Sequence, residues 1–557
     1  MTNRNIYIIL YALLLITYIG GLFLQIMEVD AAQYAAMSME MLKTKSFLKL
    51  YDGGLPYLDK PPLLMWLSSL SFYLFGISEF TYRLPSFLAT ILAIYSTYRL
   101  AKQWYNETIA SWSALILASC QAFFLFNNDV KTDNLLTGMV IFSIWQLSSY
   151  IRNRKPINFI LGVIGVSLAM LSKGPIGLIV PATAIGCHLL LHRNWKGIFD
   201  FRWLIAIPVI LLFLSPMLYG LYEQWGSKGI TFFFWTQSFG RITGQSEWNN
   251  HADPFFFEHT FAWAFLPWTI CGIIGLFYSV KELFKSRFRL DENNEGMTIS
   301  GFILVFIALS MSHYKLPHYI FVLFPLSAII TARWVYETGM RETGMFKWLT
   351  GIQLAVYILL GTALFILLWF VFQPLNILIF VLCMVLIVSG IYVSIKGSQS
   401  LTRILIPGVI CAAAINIGLN FDFYPRLMKY QASNQAGMFA SGLSGGNPIP
   451  DNQFYSLNYT GCHSLNFYSR RLVNPIYPQN LKDSLAKRDI WLYVDENDYT
   501  KLTGFQRANG EKDILINNKS VQNLSLAFLN PETRDQTIHK TWLVHFARID
   551  APKNGIK

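Results

Sequence analysis

Long apolar stretches joined by short polar segments organise this chain. They fall at about 6–26, 63–78, 85–103, 109–126, 135–151, 158–171, 175–191, 203–222, 261–280, 299–311, 317–336, 347–372, 374–395 and 402–419. About 20 apolar residues make a helix that crosses a bilayer, so most of these runs predict membrane helices. The first, Ile6–Ile26, follows Arg4, is too long for a signal-peptide core and lacks a small-residue cleavage site. It is expected to be retained. Basic joints recur at Arg99/Lys102, Arg152/Arg154/Lys155, Arg193/Lys196/Arg202, Lys281/Lys285/Arg287/Arg289, Arg333/Arg341/Lys347 and Lys396/Arg403. Such joints gather on the cytoplasmic side. Alternation from a cytoplasmic N-terminus fails if every run spans. It works if Leu63–Ser78, short and opened by Pro61-Pro62, lies along the interface. The pattern therefore predicts thirteen spans, with the C-terminus outside.

This topology sorts the remaining polar segments onto the outer side: Glu28–Pro62, Asn127–Asn134, Ser172–Pro175, Glu223–Thr260, Ser312–Pro317 and everything after Asn420. Ionisable groups on one face point to an enzyme at the membrane surface, because a transporter places them at mid-membrane in broken helices. Composition agrees: of 557 residues 54% are hydrophobic and only 14% charged, with mean hydropathy +0.39, far from a soluble domain. The net charge of +12 resides mostly in the short joints, so it signals topology rather than nucleic-acid binding. Five of the six cysteines lie in apolar runs and Cys462 is alone in the polar tail, so neither a disulfide framework nor a metal spacing is present. Residues 1–420 are expected to form the membrane domain. Residues 421–557 are expected to form a small extracytoplasmic α/β domain, with strands over Phe454–Asn458, Ile490–Val494, Leu524–Phe528 and Trp542–Phe546 and a helix near Asn480–Arg488.

The candidate chemistry sits in the outer segments. Asp30 directly follows the first span; there it is either a proton acceptor for a hydroxyl or the N-cap of the helix that the spacing of Tyr34, Met37, Glu40 and Met41 predicts. Lys60, on a stiff turn before two prolines, suits a phosphate or a snorkelling anchor. Asp129, Lys131 and Asp133 make an acidic–basic loop that reads equally as a solvated turn. Lys173 in SKGP and Lys315 in SHYKLPHY, between His313 and His318, are lysines between apolar spans, costly unless paired. Arg241, Glu247, His251, Asp253 and His259 lie among aromatics that suit a sugar, a lipid groove or an interfacial belt. The spacing of His251, Asp253 and His259 matches no structural zinc pattern. No cofactor is required on this reading, and a divalent metal is an option that nothing in the spacing supports.

Read in order, these segments resemble the polyprenyl-phosphate-sugar glycosyltransferases of the GT-C superfamily, a group that includes protein O-mannosyltransferases and the lipid A aminoarabinose transferase. VDAAQYAAMSMEML, YLDKPPLLMWL with FTYRLPS, VKTDNLLT, LSKGPIGL, FGRITG followed by HADPFFF, and SHYKLPHYIFVLFPLSAII carry the resemblance over about residues 1–336. It implies an α-helical polytopic GT-C-like fold in a bacterial inner membrane, with the site on the periplasmic side. It also implies inverting transfer of a glycosyl group from a polyprenyl (undecaprenyl) phosphate sugar to a lipid A-type glycolipid or, alternatively, to a protein. By the same resemblance Asp30 matches the catalytic base and Asp133 the second acidic loop. Lys60 matches the lysine at the donor phosphate, and Lys173, Arg241, His251 and Lys315 fall in motifs of the donor cavity; Tyr34, Glu247, His318 and Tyr319 are expected beside them. A departing lipid phosphate is already anionic, so cations should matter more than acid catalysis. One departure stands out: Ala31 occupies the position after Asp30, where family members often carry a second acid. The competing reading from another class is a membrane transporter or lipid flippase.

Overall fold

Every apolar run is helical. The computed structural model describes residues 3–237, 240, 250, 252–291, 294–340, 344–458, 462–502, 505, 507 and 512–548. Among these residues seven helices are long and apolar enough to cross a membrane, or eight if Glu107–Ser119 and Gln121–Asn128, bent by 51°, form one broken span. Leu63–Phe75, Ile176–Leu191 and Met297–Ser310 are shorter apolar helices. The protein is thus a multi-pass membrane protein. The strict count is below thirteen because several helices carry charge or polar ends: Glu79–Trp104 contains Glu79, Arg83, Arg99 and Lys102.

The helices that place the polar loops have legible ends. Leu63–Phe75 is only 13 residues long and turns Leu70, Tyr73, Leu74 and Phe75 outward, as an interfacial helix does. Gly76, at φ +81°, stops it. The next helix opens on a capping box in which Ser78 Oγ accepts from the Thr81 amide and Thr81 Oγ1 accepts from the Ser78 amide. Pro156–Lys173 ends at Gly174, φ 107°, and Pro175 precedes Ile176–Leu191. The break leaves Lys173 as the last helical residue. Thr132–Asn153 packs against both Glu79–Trp104 and Pro156–Lys173. One large core of buried aromatic and aliphatic side chains unites these helices.

Segment 28–62 is more ordered than a loop. Asp30–Thr44 is a helix that buries Tyr34, Met37, Glu40 and Met41, and Tyr51–Asp52 pairs antiparallel with Leu55–Pro56. The Glu40 carboxylate accepts from the amides of Gly53 and Gly54, both at 2.9 Å, and so fixes that hairpin.

Beyond the last long helix the chain forms a five-stranded mixed sheet in the order Pro475–Ile476, Phe454–Leu457, Ile490–Asp495, His539–Phe546, Ile514–Asn518. The first three strands run parallel and the last two pair antiparallel. The predicted helix appears as Pro478–Leu485. The expected strand over Leu524–Phe528 is instead a helical turn, Leu526–Leu529. Ser525 caps that turn by accepting from the Phe528 amide, and Phe528 packs edge-on to Tyr430. A side-chain cap and an aromatic anchor outweighed strand propensity there.

Candidate functional site

Asp30 is the first residue of its helix, preceded by Val29, which makes no side-chain cap. The carboxylate does not cap the helix. Its Oδ2 accepts from Lys131 Nζ at 2.8 Å across 101 residues of sequence. Lys131 also lies 3.4 Å from Asp129 Oδ2. Asp129 is buried, and its Oδ1 has no hydrogen-bond partner among the described residues. Burial pushes the Asp129 carboxyl up, against the pull of Lys131. Burial alone would lower the Lys131 ammonium, but Asp129, Asp30 and Asp133 raise it, so it stays charged between them.

Asp133, the second residue of the helix Thr132–Asn153, anchors a second cluster. Lys173 donates to its Oδ1, and His318 Nε2 lies 3.7 Å from its Oδ2. Lys173 Nζ stands 3.9 Å over the Tyr319 ring, a cation–π geometry. Thr132–Asn153 carries Asp133, Pro156–Lys173 ends on Lys173, and Pro317–Leu323 supplies His318 and Tyr319. Tyr34 is buried one turn beyond Asp30; its phenol is pushed well up by burial and then by Tyr57, Asp30, Asp59 and Asp133. It therefore sits where the two clusters approach each other.

The other predicted cations occupy flanking positions. Lys60 pairs with Asp59 at 2.6 Å in a crevice with Pro61, Met217, Gln224 and Phe233. Gln237 donates to the Asp59 carbonyl, so the segment after Phe232–Thr236 is tied to the Lys60 turn. Lys315 is buried and donates to the Asp253 carbonyl at 3.1 Å, while its own carbonyl accepts from Asn250 at 2.7 Å. Arg241, Glu247 and His251 lie outside the described residues. Among the described residues no group of three or more His, Cys, Asp or Glu is placed to hold a metal ion.

Arg83 is not singled out by the sequence, and the Asp129–Lys131 loop stays open there between chemistry and a solvated turn. Asp129 is buried and Lys131 part-buried, and the lysine links Asp129 to Asp30. Arg83, inside FTYRLPS, is fully buried and donates to the carbonyls of Leu24, Gln25 and Asn128. It joins the end of the first helix to the end of Gln121–Asn128, and so fixes the spacing of the loops that carry Asp30 and Lys131. A charged residue within an apolar helix was the available signal. Asp52 lies between Gln33 and His463.

A family profile described as dolichyl-phosphate-mannose-protein mannosyltransferase matches residues 59–219. An uncharacterized protein of Aquifex aeolicus is 26% identical over 343 residues, 60% of this chain and 66% of that protein. The undecaprenyl phosphate-alpha-4-amino-4-deoxy-L-arabinose arabinosyl transferase of Edwardsiella ictaluri is 25% identical over 349 residues, 60% of this chain and 61% of its own. The match thus spans less than two thirds of either relative. The fold agrees end to end with the crystal structure of ArnT from Cupriavidus metallidurans bound to undecaprenyl phosphate: TM-score 0.71 at 18% identity, covering 98% of this chain and 99% of that one. Sequence and fold point the same way: the chain is similar in sequence to polyprenyl-phosphate-sugar glycosyltransferases and has the fold of the ArnT structure.

Proposed function

We propose that this protein transfers a glycosyl group, with inversion, from an undecaprenyl phosphate sugar to a lipid A-type acceptor on the outer side of a bacterial inner membrane. The observation that carries the reading is the pair of neighbouring clusters, Asp30–Lys131–Asp129 and Asp133–Lys173–His318, in this fold. The acceptor hydroxyl attacks the anomeric carbon and gives its proton to the Asp30 carboxylate. The bond from that carbon to the phosphate oxygen breaks, and its electron pair leaves on the polyprenyl phosphate. Lys131 holds the Asp30 carboxylate in place through their 2.8 Å ion pair. A donor phosphate would share Lys173 with Asp133, and Lys60 and Lys315 supply further positive charge. Preorganised cations of this kind contribute about 10²–10³-fold each. His318 and Tyr319 orient Lys173.

Purified protein in liposomes, supplied with undecaprenyl phosphate-α-4-amino-4-deoxy-L-arabinose and lipid A, tests the proposal. Transfer is expected, and Asp30→Asn should lower turnover about 10³-fold, in the range of a lost general base. A protein acceptor is the second reading, favoured by the description of the matching family profile. Transfer to a protein and none to lipid A would replace the first acceptor by the second. Movement of intact lipid across the bilayer with no transfer would overturn both.

A further inference from the structure

The turn that leads into Asp30 has its backbone served by the far end of the chain. The Ile26 amide donates to Tyr468 Oη at 2.8 Å, and the Ile26 carbonyl accepts from Gln431 at 3.0 Å and Asn434 at 3.2 Å. The Glu28 amide donates to Gln431 Oε1 at 2.9 Å. In return the Glu28 carboxylate accepts from the Ser464 amide at 2.7 Å. Every buried backbone group needs a partner, and here the partners come from Ala432–Ala440, His463–Ser469 and the residue before the first of these helices.

A second tie reaches the helix of Asp30 itself. His463 Nδ1 lies 3.3 Å from Asp52 Oδ1, an ion-pair contact outside hydrogen-bond geometry, and Asp52 Oδ2 accepts from Gln33 Nε2 at 2.7 Å. Gln33 is three residues after Asp30, on the same side of the helix. His463 is buried and faces Asp52, Glu28 and Asp30. Asp30–Thr44 packs directly on His463–Ser469.

We propose that His463, acting through Asp52 and Gln33, is a positioning residue for the transfer, by which the C-terminal region holds Asp30 at its working distance. The inference rests on Asp30 being the base, as proposed above. Lys131 holds the helix start from one side; the clasp fixes it from the other. A carboxylate displaced by about 1 Å loses up to about 100-fold in rate.

The test compares His463→Ala, His463→Asn and Asp30→Asn in the full-length protein. His463→Ala should lower kcat by about 10- to 100-fold while the KM for the donor lipid stays within about twofold. Asn places an amide nitrogen where Nδ1 stands, so His463→Asn should recover most of that loss. Hydrogen exchange supplies a readout free of activity: in His463→Ala, amides over Glu28–Gln33 should exchange faster, with the sheet unchanged. Unchanged exchange and unchanged kcat in His463→Ala would overturn the clasp, as would His463→Asn behaving no better than alanine in a folded protein. If Asp30→Asn alone kept full turnover, the assignment of the base would fail while the exchange result still judged the clasp.

Discussion

At the residue scale the site is a set of charges that hold one another in place. Lys131 is the hinge of that set because it serves both Asp30 and buried Asp129. Lys131→Met should destabilise the protein by about 3 kcal/mol, since removing one member of a buried pair leaves the other uncompensated. Thermal unfolding in detergent would show this, and turnover should fall with it. Adding Asp129→Asn should restore most of the melting temperature and none of the turnover, which separates the two roles of the lysine. The clasp makes a pH prediction. Burial alone would lower the His463 imidazole, but Asp52, Glu28 and Asp30 raise it above 6.5. Burial alone would raise Asp52, yet His463 and Gln33 hold it below 3.8. Asp52 therefore stabilises above 3.8 and is lost as pH falls through its lowered value. His463 stabilises below 6.5 and is lost as pH rises through its raised value. The melting-temperature gap between wild type and His463→Ala should be widest between those limits and shrink in alkali; a constant gap would show that the pair is not ionic. Asp30, Asp133 and Lys173 drew notice because charge at the end of an apolar run is costly, and His318 and Tyr319 because they lie in the motif SHYKLPHY. Lys131 and His463 were not, because each acquires meaning only from a partner about 100 residues or more away.

At the element scale, periodicity and length located the helices, and local chemistry decided their ends. The run after Pro62 was legible as a helix too short to span, and it opens with prolines that set its direction. The turn at Leu526–Leu529 was not legible as helical, since a short apolar run with no period resembles a strand. Close approach of elements is equally invisible before folding. Gly220, in the helix Arg202–Trp225, faces the backbone of the loop before Lys60; a Cβ there would sit 1.9 Å from the Leu48 carbonyl oxygen. Gln224, one turn on, exchanges hydrogen bonds of 3.0 Å with the amide and carbonyl of Leu50. Backbone cannot yield as a flexible side chain does. Gly220→Ala should therefore cost about 1–3 kcal/mol, as overpacking does, and raise the donor KM by moving the Lys60 turn. A variant with unchanged melting temperature and KM would show that this loop is not held by the helix.

At the scale of the whole molecule, the two ends of the bundle carry different kinds of charge. Thr132–Asn153 makes the point in one element: Asp133 lies in its first turn with Lys131 just before it, and Arg152 and Arg154 stand at its far end. Its 22 residues give a length of about 33 Å, against a hydrocarbon core of about 30 Å. At the far end Arg154 and Arg202 both pair with Asp200, at 3.0 and 3.6 Å, so the joints 152–155 and 193–202 meet there. At the near end Lys131 meets Asp30 and Lys173 meets Asp133. The orientation proposed above, which follows the positive-inside rule, puts the arginine end in the cytoplasm and the candidate site and the C-terminal sheet outside. Single cysteines in a cysteine-free parent check this directly. Leu55→Cys, Leu443→Cys and Tyr477→Cys sit at exposed positions of the site end and the C-terminal region; Phe199→Cys and Met340→Cys sit at exposed positions of basic joints. A membrane-impermeant maleimide should label the first three in intact spheroplasts and the last two only after permeabilisation. Labelling of Leu55→Cys and Phe199→Cys from the same side would break the separation of the two ends, and with it the access of a donor in the outer leaflet to Asp30.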